Sequence, residues 1–249
     1  MKYLKNKIVL LCAAASLLFI NPSYADDIFK GVKGPTNWQI DERVGYSKNE
    51  RARTLTNRVI LKYWDGDGFG KWGFVSVPYK STSSQNVSRK GLGDIILGGG
   101  PRGRTNNLNW FLYGALSLPT GDSEGKISLG KGRNDKKVGG LVTYLTSDKK
   151  FEIDGSLEYN FTGKDREGHN PPDELSAGIV AGGRTTKKTR FVTGLRNISR
   201  DGDYLLTSIS VFRYTFSPAI HTEFVVDIGL KSKNIPEKNS LSVYLRYNF

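Results

Sequence analysis

Short, turn-forming connections alternate with longer ones along almost the whole chain. That regularity limits the available folds more than any single motif does. About twelve strand-like segments lie near 36–47, 54–64, 70–80, 91–101, 107–118, 136–146, 150–161, 174–184, 188–199, 203–216, 219–231 and 239–249. The even-numbered connections are tight: Asp65-Gly66-Asp67-Gly68-Phe69, Arg102-Gly103-Arg104-Thr105-Asn106, Ser147-Asp148-Lys149, Thr185-Thr186-Lys187 and Ser217-Pro218. Glycine, proline, Asn, Asp and Ser supply the backbone conformations such turns require. The odd-numbered connections are mostly longer, at Ser81–Lys90, Pro119–Asp135, Thr162–Asp173 and Ser232–Lys238. A soluble sandwich has no reason to alternate in this way. An up-and-down barrel crossing a membrane does, with short turns on the periplasmic side and longer loops outside. The segments match the roughly 9–11 residues that a tilted membrane strand needs.

Within the segments, apolar and polar side chains alternate with period two. Phe151, Ile153, Leu157, Tyr159 and Phe161 share one face, with Glu152, Asp154, Ser156, Glu158 and Asn160 on the other. Leu55, Val59, Leu61 and Tyr63 alternate with Thr56, Arg58 and Lys62; Phe191 and Leu195 with Arg190 and Arg196; Phe224, Val226, Ile228 and Leu230 with Glu223 and Asp227. A charge facing lipid at the membrane midplane costs about 2–4 kcal/mol. The charged parity is therefore expected to face a lumen. Segments 91–101, 136–146 and 203–216 do not resolve into two faces. Aromatic residues gather toward segment ends (Tyr63, Trp64, Trp72, Tyr159, Phe161, Tyr214, Phe216), as interfacial girdles require.

The final segment keeps its alternation to the last residue: Leu241, Val243, Leu245, Tyr247 and Phe249 against Ser240, Ser242, Arg246 and Asn248. It resembles the closing strand of bacterial outer-membrane barrels, where an aromatic C-terminus serves as the recognition signal for barrel insertion. The resemblance implies that role for Tyr247 and Phe249, with the barrel-assembly machinery as partner. At the other end, Lys2, Lys5 and Lys7 precede an apolar run, Ile8 to Ile20. Ser23-Tyr24-Ala25 then places small residues at −3 and −1 of a cleavage site. The expected organisation is a signal peptide over 1–25, a short periplasmic segment over 26–35 and a barrel over 36–249, located in the Gram-negative outer membrane.

Composition narrows the function. The sole Cys (Cys12) and the sole Met (Met1) lie ahead of the expected cleavage site, which excludes disulfides and thiolate chemistry from the mature chain. The net charge of +13 falls to +10 without Lys2, Lys5 and Lys7. A basic surface suits nucleic acid or an anionic membrane, and the export signal argues against nucleic acid. Glycine-rich stretches lack the spacing of a nucleotide-binding loop. Asp65 and Asp67 begin like a calcium loop, but Phe69 and Ser76 stand where ligands would be needed. No cofactor or metal is expected. His169 and His221 are the only histidines. One sits in a charged loop and the other near the periplasmic rim, so a barrel hydrolase is the weakest of three readings.

Three short motifs remain: Gly91-Leu92-Gly93-Asp94, Leu118-Pro119-Thr120-Gly121-Asp122 and Leu129-Gly130-Lys131-Gly132. In this order the chain resembles the MetA-pathway of phenol degradation family of outer-membrane proteins over roughly Gly91 to Phe249. The resemblance implies a barrel with a transport role. On the residues alone, the glycines and aspartates are first of all turn and cap positions. The leading functional expectation is a monomeric channel passing small solutes, aromatic or anionic, by diffusion. Its lumen would be lined by Arg58, Lys62, Glu152, Asp154, Glu158, Arg190, Arg196, Glu223, Asp227 and Arg246, with the two signs of charge facing each other across it. Lys126, Lys131, Arg133, Lys136 and Lys137 crowd one outer loop, where they would attract anions or lipopolysaccharide phosphates. The alternative reading is a non-conducting structural or adhesive barrel whose basic loops bind lipopolysaccharide or host molecules.

Overall fold

The two-residue period leaves each strand with one face for lipid and one for the interior, and closing the sheet on itself removes every exposed edge. A computed structural model describes residues 36–49, 52–65, 68–84, 87–122, 128–148, 150–164, 168–237 and 239–249. The leader and short N-terminal segment expected from the sequence lie outside the described residues. Among those described, every regular element is a strand: β1 (Thr36–Lys48), β2 (Arg53–Asp65), β3 (Phe69–Ser84), β4 (Val87–Leu92), β5 (Ile95–Arg104), β6 (Leu108–Leu118), β7 (Asp135–Leu145), β8 (Phe151–Phe161), β9 (Glu174–Arg184), β10 (Thr189–Arg200), β11 (Asp203–Thr215), β12 (Ile220–Lys233) and β13 (Asn239–Asn248). All pairings are antiparallel between neighbours, and β1 pairs with both β2 and β13 to close an outer-membrane-type barrel. The last residue takes part in closure. Trp38 N–H donates to Phe249 O at 3.2 Å and Phe249 N–H to Trp38 O at 3.0 Å.

Thirteen strands occupy twelve wall positions. The outer half of β3 pairs with β4 (Tyr79↔Leu92 to Ser84↔Val87), and its inner half pairs with β5 (Phe69↔Gly103 to Ser76↔Ile96). Gly93 and Asp94 interrupt that wall position. The stretch Ser81–Lys90, expected as a loop, instead continues as the paired ends of β3 and β4, so Arg89 and Lys90 are strand residues. A ladder of serines, threonines and basic residues can keep pairing past the membrane, where lipid no longer selects for apolar side chains. Similarly, Asp201 (φ 41°) and Gly202 (φ 80°) join β10 to β11 by a tight turn at the outer end. In the periplasmic turn between β7 and β8, Asp148 accepts from the Thr146 hydroxyl (2.5 Å) and the Lys150 N–H (3.1 Å). Those donors hold its carboxyl below the usual carboxylate range.

The outer surface carries the expected apolar parity, with Leu55, Val59, Ile153, Leu157, Leu195, Phe224, Leu241 and Leu245 all exposed. The three ambiguous segments now have faces. Leu97, Val138, Val142, Tyr144 and Phe212 point outward, while Leu145 and Leu205 are buried on the opposite parity of their strands. In β11 the pattern was unreadable because small hydroxyls sit on the lipid side. Thr193 and Ser210 share an outward parity and satisfy each other across the β10–β11 pair at 2.8 Å.

Candidate functional site

Lumen-facing charges meet near the periplasmic ends of β1, β2, β8 and β10 to β13. Arg246 donates from Nε to Asp41 Oδ1 at 2.7 Å, and its Nη2 lies 3.5 Å from Glu223 Oε2. Glu223 also accepts from Arg213 Nε at 2.6 Å, and Lys62 Nζ donates to the other oxygen of Asp41 at 2.7 Å. Gln39 donates its side-chain amide to Asp41. Arg190 bonds Glu152 and reaches Asp154 at 3.2 Å. Asp41 is 0% exposed, Glu152 1% and Arg190 3%. Burying such groups unpaired would cost several kcal/mol each. The layer avoids this by balance: Lys62, Arg190, Arg213 and Arg246 against Asp41, Glu152, Asp154 and Glu223.

Within this layer the two signs of charge pair with near neighbours along the wall. They interleave along one arc of wall, because residues on the same parity of nearby strands are the closest available partners. Further toward the outer end, Arg196 binds Asp227 at 3.1 Å, and Ser240 donates to the same carboxylate at 2.8 Å. Glu158 accepts from Lys137 at 2.6 Å and from the Tyr113 hydroxyl. Arg58 stands directly across from Arg43 on β1. His221 Nε2 lies 3.3 Å from an Arg246 guanidinium nitrogen, inside the ionic layer.

The opposite arc is aromatic. Trp72 and Phe74 of β3 share the lumen parity with buried Ser76, and Phe111 of β6 is 5% exposed. The Trp72 ring stacks on Phe74 at 5.4 Å and meets the edges of Phe111 at 5.6 Å and Tyr113 at 6.0 Å. Glycine in β5 makes the room. Gly98 pairs with Phe74, and a Cβ placed there would lie 2.5 Å from that ring. The sequence pattern had put Trp64 and Trp72 in an interfacial girdle. Both instead carry the inward parity, and Trp64 is 4% exposed. β3 is apolar on both faces, so alternation could not reveal the ladder.

Near the outer mouth the three short motifs form one structure. Asp94 accepts from the Gly121 N–H (3.1 Å) and the Lys131 N–H (2.6 Å), and Thr120 Oγ1 bridges Gly93 O and the Ile95 N–H. Gly130 presses close enough that a Cβ would sit 2.3 Å from the Asp94 carboxylate. Leu129, 2% exposed, accepts at its carbonyl from Lys80 Nζ at 2.6 Å. Lys80 has the lumen parity of β3, so this loop folds inward beside β4.

The basic cluster is more engaged than a solvated loop. Lys131 and Arg133 bind buried Asp135 at 2.5 and 2.8 Å. Lys136 and Lys137 belong to β7 and not to the loop. Lys126 lies outside the described residues. Tyr247 and Phe249 are exposed on the outer face with their rings stacked at 5.7 Å. Asp41, Arg43 and Arg213 were not picked out from the sequence. Arg213 sat in an ambiguous segment, while Asp41 and Arg43 needed only the parity of β1 to be followed through.

Comparison with protein families matches residues 58–242 to the model described as MetA-pathway of phenol degradation. Comparison with curated proteins finds no match. Among solved structures, the chain is similar to the COG4313 outer membrane channel from Pseudomonas putida F1, with TM-score 0.73 and 14% identity over 92% of this chain and 100% of that one. It is also similar to the NanC porin (TM-score 0.54, 12% identity, 84% and 98% covered) and to the CymD monoaromatic hydrocarbon channel (TM-score 0.52, 9% identity, 89% and 91% covered). At these identities the likeness is one of fold.

Proposed function

The chain belongs to the MetA-pathway of phenol degradation family, and we propose that it is an outer-membrane channel through which small solutes diffuse passively. The observation that carries this reading is the two-sided lumen, with a charged arc facing an aromatic ladder of Trp72, Phe74 and Tyr113 packed over buried Phe111. A flat solute can slide along ring faces, at about 0.5–1.5 kcal/mol per aromatic contact. Fixed charges opposite would orient its dipole. Contacts of that strength admit a solute without trapping it. Small aromatic compounds with a polar substituent fit both arcs, and one structural neighbour is named for monoaromatic hydrocarbons. Arg58, Lys62, Glu152, Asp154, Glu158, Arg190, Arg196, Glu223, Asp227 and Arg246 set the transverse field in this proposal. Tyr247 and Phe249 address the chain to the barrel-assembly machinery.

The test is single-channel recording of the refolded mature chain, from Asp26 onward, in planar bilayers with phenol added to one side. Small reproducible steps, with phenol-dependent interruptions lost in Trp72→Ala, are expected. A folded, heat-modifiable barrel that stays silent would overturn the channel reading.

A further inference from the structure

β1 and β2 place two arginines directly opposite each other on the lumen side, Arg43↔Arg58 in the register. Like charges in directly opposed positions destabilise a strand pair. Elsewhere along this arc Arg190, Arg196, Arg213 and Arg246 each have a carboxylate. Among the described residues, no carboxylate lies in ion-pair contact with Arg43 or Arg58. Asp41, two residues away on β1, is already held by Arg246 and Lys62. Asp227, which Ser240 reaches, is held by Arg196.

What the two arginines do share is space. They line a recess of about 190 Å³ together with Gly45, Thr56, Ser240 and Ser242. That volume is an order of magnitude beyond what one water needs. Arg43 is held from both sides: Nη2 donates to Ser242 Oγ at 2.9 Å, and the guanidinium lies 4.8 Å from the Tyr244 ring centroid. Because Ser242 accepts from Arg43, its own hydroxyl hydrogen is free to donate. Arg58 Nε is buried and bonds nothing. A buried donor without an acceptor is costly. Gly45 keeps the recess open, since a Cβ there would lie 3.0 Å from Ser242 Oγ.

We propose that Arg43 and Arg58 form an anion-binding station in the barrel wall that takes the carboxylate of a small organic acid. Two guanidinium forks and a serine hydroxyl match the oxygens of a planar carboxylate, and one negative charge between them turns mutual repulsion into attraction. Arg43 and Arg58 face each other without a carboxylate of their own, so the pair is a point of net positive charge on that arc. The role of the station in permeation rests on the channel reading; its binding of carboxylate does not.

The test is calorimetric titration of the detergent-folded mature chain with benzoate, with neutral benzamide as the control. Saturable benzoate binding is expected, with benzamide at least tenfold weaker. Arg43→Gln and Arg58→Gln would each weaken benzoate about tenfold, the scale of one charge-assisted hydrogen bond. The double substitution would abolish it, and Arg43→Lys with Arg58→Lys would fall between. Heat-modified mobility of each variant confirms folding. Benzoate affinity unchanged in the double Gln variant, or equal affinity for benzamide, overturns the station. Bilayer recordings separate the two readings. Binding in a silent barrel upholds the station while overturning the channel. A conducting barrel whose reversal potential ignores the double substitution, with no benzoate binding, does the reverse.

Discussion

Replacing Arg246 by Met should destabilise the barrel through the ionic layer while leaving its outer surface untouched. The guanidinium and its main partner Asp41 have side chains 5% and 1% exposed, so solvent cannot take over the lost contacts. Removing one member of a buried pair typically costs about 3–5 kcal/mol, because the other charge is left uncompensated. Here the lower end applies, at about 3 kcal/mol. Asp41 keeps Lys62 and Gln39, and Glu223 keeps Arg213. With a urea slope of about 1–3 kcal/mol per molar, the unfolding midpoint should fall by roughly 1–3 M. The assay is equilibrium urea unfolding of the refolded barrel in lipid vesicles, followed by tryptophan fluorescence. Asp41→Asn in the same background restores neutrality, so the double variant should cost at least about 1 kcal/mol less than the two singles summed. A single-variant cost under about 1 kcal/mol, or strictly additive costs, would refute the account of a mutually compensated layer.

Three further outcomes test other parts of the structure. Gly98→Ala should cost about 1–3 kcal/mol by overpacking and shift Trp72 emission, since its new methyl meets the Phe74 ring; unchanged emission would mean the ring does not lie over β5. Asp94→Ala removes the acceptor for two backbone donors and should speed tryptic cleavage of the Pro119–Asn134 loop about tenfold or more. Equal cleavage rates would show that the loop is held by other contacts. Deleting Phe249 should leave refolding in vitro nearly intact but lower barrel assembly in cells, read by heat-modifiability of outer-membrane fractions. Normal assembly would remove its role as an insertion signal.

Much of the wall could be read in advance where lipid and water impose opposite demands on alternate residues. The β8 series from Phe151 to Phe161 and the β13 series from Leu241 to Phe249 are of this kind. Reading failed where that contrast was absent. In β3, Trp72 and Phe74 face inward while Val75, Val77 and Tyr79 face out, so both parities are apolar. In β11, Ser210 can face lipid because Thr193 of β10 satisfies it, a contact between strands that no single-strand pattern contains.

By itself, then, the sequence determined the barrel, its approximate strand count and the inward side of most charges. Period-two alternation and turn chemistry are local, and a charge in lipid is penalised whatever lies next to it. Only the tertiary structure decided which charges pair. It joined three separated motifs through one carboxylate, Asp94, set an aromatic ladder over the β5 glycines and left Arg43 facing Arg58. Each of these depends on the register between strands, and register is fixed by closure of the whole sheet rather than by any one segment.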